Sequence, residues 1–163
     1  MMNPPSRALI TAAAAELLAR LHDRHGPLMF HQSGGCCDGS SPMCYPQGDF
    51  LVGDRDVLLG VLDVTEAGVP VWISGPQYQA QYREQHTQLV IDVVPGRGSG
   101  FSLEAPEGVR FLSRGRVFTD DEKALVEAVP VITGLAYARG ERPPVRGEVV
   151  ADNAPGACRA TRA

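Results

Sequence analysis

Three thiols and an imidazole fall within one short stretch, His31-Gln32-Ser33-Gly34-Gly35-Cys36-Cys37-Asp38-Gly39-Ser40-Ser41-Pro42-Met43-Cys44. Thiolate and imidazole are the ligands zinc prefers, so Cys36, Cys37, Cys44 and His31 form a candidate coordination shell. A closed set of four would be a structural site; with one ligand left out, an open position remains for water or substrate. Soft thiolates would equally suit cuprous copper or an iron–sulfur centre. Gly34, Gly35 and Gly39 allow the loop to fold back so that ligands converge. The spacing is unlike that of zinc fingers. Cys36 and Cys37 are adjacent, and neighbours in an extended chain point to opposite sides, so one ion held by both needs a turn.

The same residues support a second reading without metal. Cys36 and Cys37 are candidate thiols, one nucleophilic and the other resolving, with His31 or His86 as the base. In a third reading the cysteines are small apolar fillers packed under a loop. Other candidates are weaker. Gly96-Arg97-Gly98-Ser99-Gly100 sits between two expected strands and reads as a hairpin turn, not a nucleotide loop. Ser33 to Ser41 lacks the Gly-Lys-Ser/Thr ending of a phosphate loop, and no cysteine of the stretch is followed by Cys-x5-Arg spacing. Glu84 and His86 would share a face if extended, but a solvated turn explains them more simply. Asp63, Asp92 and Glu104 read as outward-facing strand positions. His22 and His25 suit a helix C-terminus.

The elements that must position the cysteine loop follow from patterning. Ile10, Ala13, Leu17 and Leu21 fall at helical spacing, with Ser6 as the cap and Gly26-Pro27 as the stop, so residues 1–27 are expected to form an N-terminal helix. Residues 28–119 are the expected sheet core: a strand from Leu28, the cysteine loop over 33–49, and strands over 56–64 and 69–74 joined by Thr65-Glu66-Ala67-Gly68. Further strands are expected over 87–94, 101–104 and 109–118. The polar stretch 76–85 is a short helix or ordered loop. Thr119 and Glu122 form a capping box that opens a short helix in a 120–139 connector. Residues 140–163, including Cys158, lack any period and are expected to be a disordered tail. The fold class is α+β: a helix packed on a mainly antiparallel sheet of about five to seven strands.

Composition bounds the function. The chain has 163 residues, enough for one ordinary domain, with 18 glycines and 13 prolines, a loop-rich balance. Acidic residues outnumber basic ones 19 to 15, and there is one lysine, which argues against coating nucleic acid or anionic lipid. No apolar run is long enough for a membrane span. The alanine-rich run after Arg7 is followed at once by Glu16, Arg20, Asp23 and Arg24, which fits an amphipathic helix and not a leader. The expected compartment is therefore the cytoplasm, where free thiols stay reduced.

The stretch His31 to Cys44 resembles the signature of the bacterial family named domain of unknown function 779. So do Trp72-Ile73-Ser74, Gln88 to Val94, Gly98 to Glu104 and Arg110-Phe111-Leu112-Ser113-Arg114. The resemblance covers residues 6 to 120. Members of that family are often encoded beside NAD-dependent aldehyde dehydrogenases, which implies a role near aldehyde oxidation. The chain is too short to be such a dehydrogenase and has no G-x-G-x-x-G fingerprint, so no nucleotide cofactor is expected. Three functions follow as expectations: an accessory protein binding zinc through the Cys/His loop, a metal-free thiol enzyme or redox sensor, or an assembly partner of an aldehyde dehydrogenase.

Overall fold

The computed structural model describes residues 4–32, 42–83, 86–96 and 102–151. It is a mixed α/β fold with two sheets. The first strand, β1 (Ala8–Thr11), precedes the first helix, α1 (Ala12–His25). The helix was expected to begin at Ser6, so the N-terminal helical segment is corrected by four strand residues. Ile10 fits the helical stripe with Ala13, Leu17 and Leu21, yet Ala8 and Ile10 also share one face of a strand. Parallel pairing of Ala8, Leu9 and Ile10 with Leu89, Val90 and Ile91 decides for the strand. Thr11 then caps α1, its Oγ1 accepting from Ala14 N–H at 3.3 Å. Gly26, at φ 79°, ends it by donating to the His22 carbonyl at 2.8 Å.

After α1 come β2 (Leu28–Gln32), β3 (Met43–Pro46), β4 (Val57–Leu62) and β5 (Val69–Ile73). Gly75–Gln77 forms one turn, α2, which widens into a π-helical turn over Tyr78–Arg83. Then follow β6 (Thr87–Pro95), a 3-10 turn (Ala105–Glu107), β7 (Val109–Val117), α3 (Asp120–Glu127), β8 (Ile132–Thr133), α4 (Gly134–Ala138) and β9 (Val149–Val150). One sheet runs β7-β6-β1-β9 and the other β3-β2-β5-β4-β8. The pairings β1–β6, β1–β9 and β2–β5 are parallel, so a mainly antiparallel single sheet gives way to two mixed ones.

The β4–β5 antiparallel pair falls where the patterning put it, and β6 and β7 lie where strands were expected but pair directly with each other, with no strand between them. The capping box of α3 forms as expected, with both reciprocal bonds between Thr119 and Glu122 present. Other expectations change. Residues 43–46, expected within the loop, are a strand, while 102–104 form a turn where a strand was expected. Within the expected tail, residues 140–151 pack onto the fold: Gly147 N–H donates to Val61 O at 2.8 Å, Asp63 N–H to Gly147 O at 2.9 Å, and Val149–Val150 pair with β1. Gly147 permits this approach, since a Cβ there would lie 2.1 Å from the Ala8 carbonyl oxygen. Cys158 lies outside the described residues.

Between the sheets and α1 sits the larger core, built from Ile10, Leu18, Leu21, Phe30, Leu89, Ile91 and Phe111 among others. Phe30 and Phe111 meet edge to face at 4.9 Å. The other face of the five-stranded sheet carries a second cluster, Met29, Leu58, Val61, Trp72 and Ile132, covered by Phe50, Val52, Ala136 and Tyr137. Burial on both faces explains why β2, β4 and β5 are buried at every position. Among the described residues, no helix is long and apolar enough to cross a membrane.

Candidate functional site

Strand β2 leads directly into the cysteine loop and β3 leads out of it, so these two strands hold its ends. They pair antiparallel with Phe30 opposite Cys44 and His31 opposite Met43. Alternation along a strand then puts Cys44 and His31 on opposite faces. Cys44 packs in the larger core with Phe30. His31 faces the second cluster, its ring 4.3 Å from that of Phe50. The structure therefore does not bring these two candidate ligands together. Cys36 and Cys37 lie outside the described residues, as does Glu84. His86 stands with its Nδ1 3.6 Å from Glu127 Oε1.

His31 has a partner that spacing alone did not reveal. Its Nε2 lies 3.1 Å from Asp56 Oδ2, and the imidazole is 6% exposed. Asp56 sits just before β4 and also accepts from Gly53 N–H at 3.0 Å, which fixes the carboxylate in place. A carboxylate accepting from Nε2 puts the ring proton on that nitrogen and fixes the orientation of the imidazole. The signal was weak in the sequence because Asp56 is one of three acidic or basic residues in a polar run, Asp54-Arg55-Asp56.

Cys44 occupies a different environment. It is fully buried, and its N–H donates to Ser102 Oγ at 2.9 Å. Ser102 in turn donates to Glu104 Oε1, while Glu104 Oε2 accepts from Phe111 N–H at 3.1 Å. Leu103 N–H closes the set by donating to the Cys44 carbonyl at 3.1 Å. Burial first, and the Glu104 carboxylate second, push the Cys44 thiol far up from its ordinary 9.0, so it stays protonated at neutral pH. A protonated, sealed thiol is not a nucleophile.

Glu104 was expected to face outward; it is instead wholly buried, its oxygens satisfied by a hydroxyl and a backbone N–H. Asp92 is likewise turned inward. It accepts from Thr11 Oγ1 at 2.9 Å and Arg114 Nε at 2.7 Å, joining β1, β6 and β7. Gln32, the last residue before the loop, is held from the neighbouring sheet by Ser113 Oγ at 2.7 Å. Asp63 keeps the outward place expected of it, paired to Arg146 at 3.3 Å. Among the described residues, no group of three or more His, Cys, Asp or Glu side chains could hold a metal ion.

Against known proteins, the family model described as Domain of unknown function (DUF779) matches residues 17–117. No curated protein and no solved structure matches the chain.

Proposed function

Since the chain belongs to the family of Domain of unknown function (DUF779), we propose that it is an accessory protein of aldehyde metabolism whose chemistry is carried by Cys36, Cys37 and His31. Zinc is the metal these ligands would take. The observation that supports this reading is the buried His31 imidazole fixed by Asp56 at 3.1 Å, at the strand end that opens into the cysteine loop. Histidines that ligate metals characteristically give their second nitrogen to a carboxylate, which sets the tautomer and ring orientation. With Cys44 turned to the opposite face, the proposed set is two thiolates and one imidazole. That is the ligand count of a zinc site with an open fourth position, free to take water or a carbonyl oxygen.

Elemental analysis of untagged protein, purified without chelator or oxidant, tests the metal. About one zinc per chain is expected. It should be lost in Cys36→Ser, Cys37→Ser and His31→Ala and kept in Cys44→Ala, while Asp56→Ala should weaken affinity about 10- to 100-fold. Metal-free protein after reconstitution under reducing conditions would overturn the zinc reading. The same Asp56-held imidazole then favours the second one, in which His31 is the base for a Cys36 or Cys37 thiolate. Its mark is alkylation of one of those thiols that stays fast well below the ordinary thiol pKa and slows in His31→Ala. The aldehyde link rests on the family resemblance. A purified NAD-dependent aldehyde dehydrogenase should associate with the protein or change its rate in its presence. Neither effect at micromolar concentration would remove that part of the proposal.

A further inference from the structure

A cleft of about 620 Å³ opens between the π-helical turn Tyr78–Arg83 and α3, away from His31 and Cys44. That volume lies within the range of small-molecule sites. Its lining divides into two kinds. Tyr78, Tyr82 and Phe118 are buried and give it an aromatic wall. Among the described residues that line it, Arg7, Arg83 and Lys123 bring three cations, against one carboxylate, Glu127. In a chain of net charge −4, this is a local reversal of sign.

Two features of the backbone mark the same place. π-Helical turns are rare and gather at functional sites. His86, at the foot of the turn, adopts φ 51°, a left-handed conformation uncommon for any residue but glycine. It is held there from both sides: its N–H donates to Arg83 O at 3.3 Å and its carbonyl accepts from Phe118 N–H at 2.9 Å. The constrained backbone thus ties the π turn to the segment that leads into α3.

The cations have donors to spare. Arg7 donates through Nη2 alone, to the carbonyls of Val126 at 3.0 Å and Val129 at 3.1 Å. Arg83 has no side-chain hydrogen bond or ion pair among the described residues. Among the described residues, the Lys123 ammonium pairs with the fully exposed Asp120, at 3.5 Å, a pairing that water competes with readily. Planar guanidinium groups match carboxylates in bidentate geometry. A phosphate dianion fits less well. The helix end that faces the cleft is the carbonyl end of α3, whose dipole is negative, and Glu127 adds a further negative charge.

We propose that this cleft binds a small organic monoanion, a carboxylate on an aromatic or other planar apolar body, with Arg83 and Arg7 on the carboxylate and Tyr78, Tyr82 and Phe118 against the body. The site is independent of the cysteine loop and of any metal there.

The test is titration of the full chain with benzoate, followed by amide chemical shifts, with benzyl alcohol and inorganic phosphate as the comparison probes. Saturable shifts confined to 78–83, 86–87 and 123–131 are expected with benzoate, at least 10-fold weaker with benzyl alcohol. Arg83→Ala, an exposed position whose loss should leave the melting temperature unchanged, should weaken benzoate at least 10-fold, and Arg83→Lys less. Equal binding of benzoate and benzyl alcohol, tighter binding of phosphate, shifts elsewhere, or full affinity in Arg83→Ala would each overturn the proposal.

Discussion

The two faces of the five-stranded sheet give opposite chemistry to neighbouring positions of the same two strands. On the face turned to α1, Cys44 is sealed beside Phe30 and its thiol is held protonated by burial and by Glu104. On the far face, one step along the register, His31 is buried too, but with a carboxylate at 3.1 Å and a loop of thiols following it in the chain. Both sites are dry. What separates them is the partner: a group that shares its space with an anion loses the option of becoming one, whereas an imidazole beside an anion gains a fixed orientation.

The comparison can be broken most forcefully at Glu104. Glu104→Ala leaves the Phe111 N–H and the Ser102 hydroxyl without their acceptor in a filled core, and should cost about 3 kcal/mol in chemical denaturation. A near-neutral effect would mean that the Ser102–Glu104 network does not hold the α1 face together.

A smaller and more specific effect comes from the Cys44 thiol. Its folded pKa is raised, so above its ordinary 9.0 the unfolded chain releases a proton that the folded chain keeps. Stability is therefore unaffected below that value and falls as pH rises past it, by at most about 1.4 kcal/mol per pH unit. Denaturation curves from about pH 8 to 10 should show a steeper alkaline loss in the wild type than in Cys44→Ala. Alkylation of Cys44 in the folded protein at neutral pH would contradict the sealed thiol outright.

The smallest effect is expected on the far face. Asp56→Ala removes the acceptor of His31 and of the Gly53 N–H near the surface, and should lower stability by about 1 kcal/mol. Nitrogen shifts of His31 should at the same time report a change in tautomer balance. An unchanged imidazole signal would show that Asp56 does not orient it.

Much of the fold could be read from local pattern. The β4–β5 hairpin with its Gly68 turn and the Thr119–Glu122 box combine a period with a turn or cap residue and fall where expected; β6 and β7 lie at the expected residues, though the strand expected between them is a turn. Two of the misreadings share a cause. Ala8 to Thr11 became a strand through parallel neighbours drawn from residues 89–91 and 149–150, and Val149–Val150 became one by lying against β1. Pairings this distant leave no local signature, and parallel ones least of all, since no turn announces them. At the candidate site, the sequence pointed to His31 but not to Asp56. It grouped Cys44 with His31 by nearness along the chain, whereas strand parity divides them. Asp92 was hidden for a similar reason, its donors Thr11 and Arg114 coming from other strands, while the donors to Glu104, Ser102 and Phe111, lie close in the chain but carry no pattern that marks them as its partners.

The parallel docking of β9 carries a practical consequence for anyone trimming the chain. The family match stops at residue 117, which suggests a tidy boundary there. Yet β9 covers the flank of β1 at Ile10 and Thr11, and Gly147 is bonded to both Val61 and Asp63. A polypeptide ending at the match would lay that flank bare, with the Ile10 N–H stripped of the Glu148 carbonyl it donates to at 3.2 Å. An uncovered apolar strand recruits a substitute from the next molecule. The shortened protein should therefore self-associate, so the segment beyond the family match acts as the fold's own safeguard against aggregation.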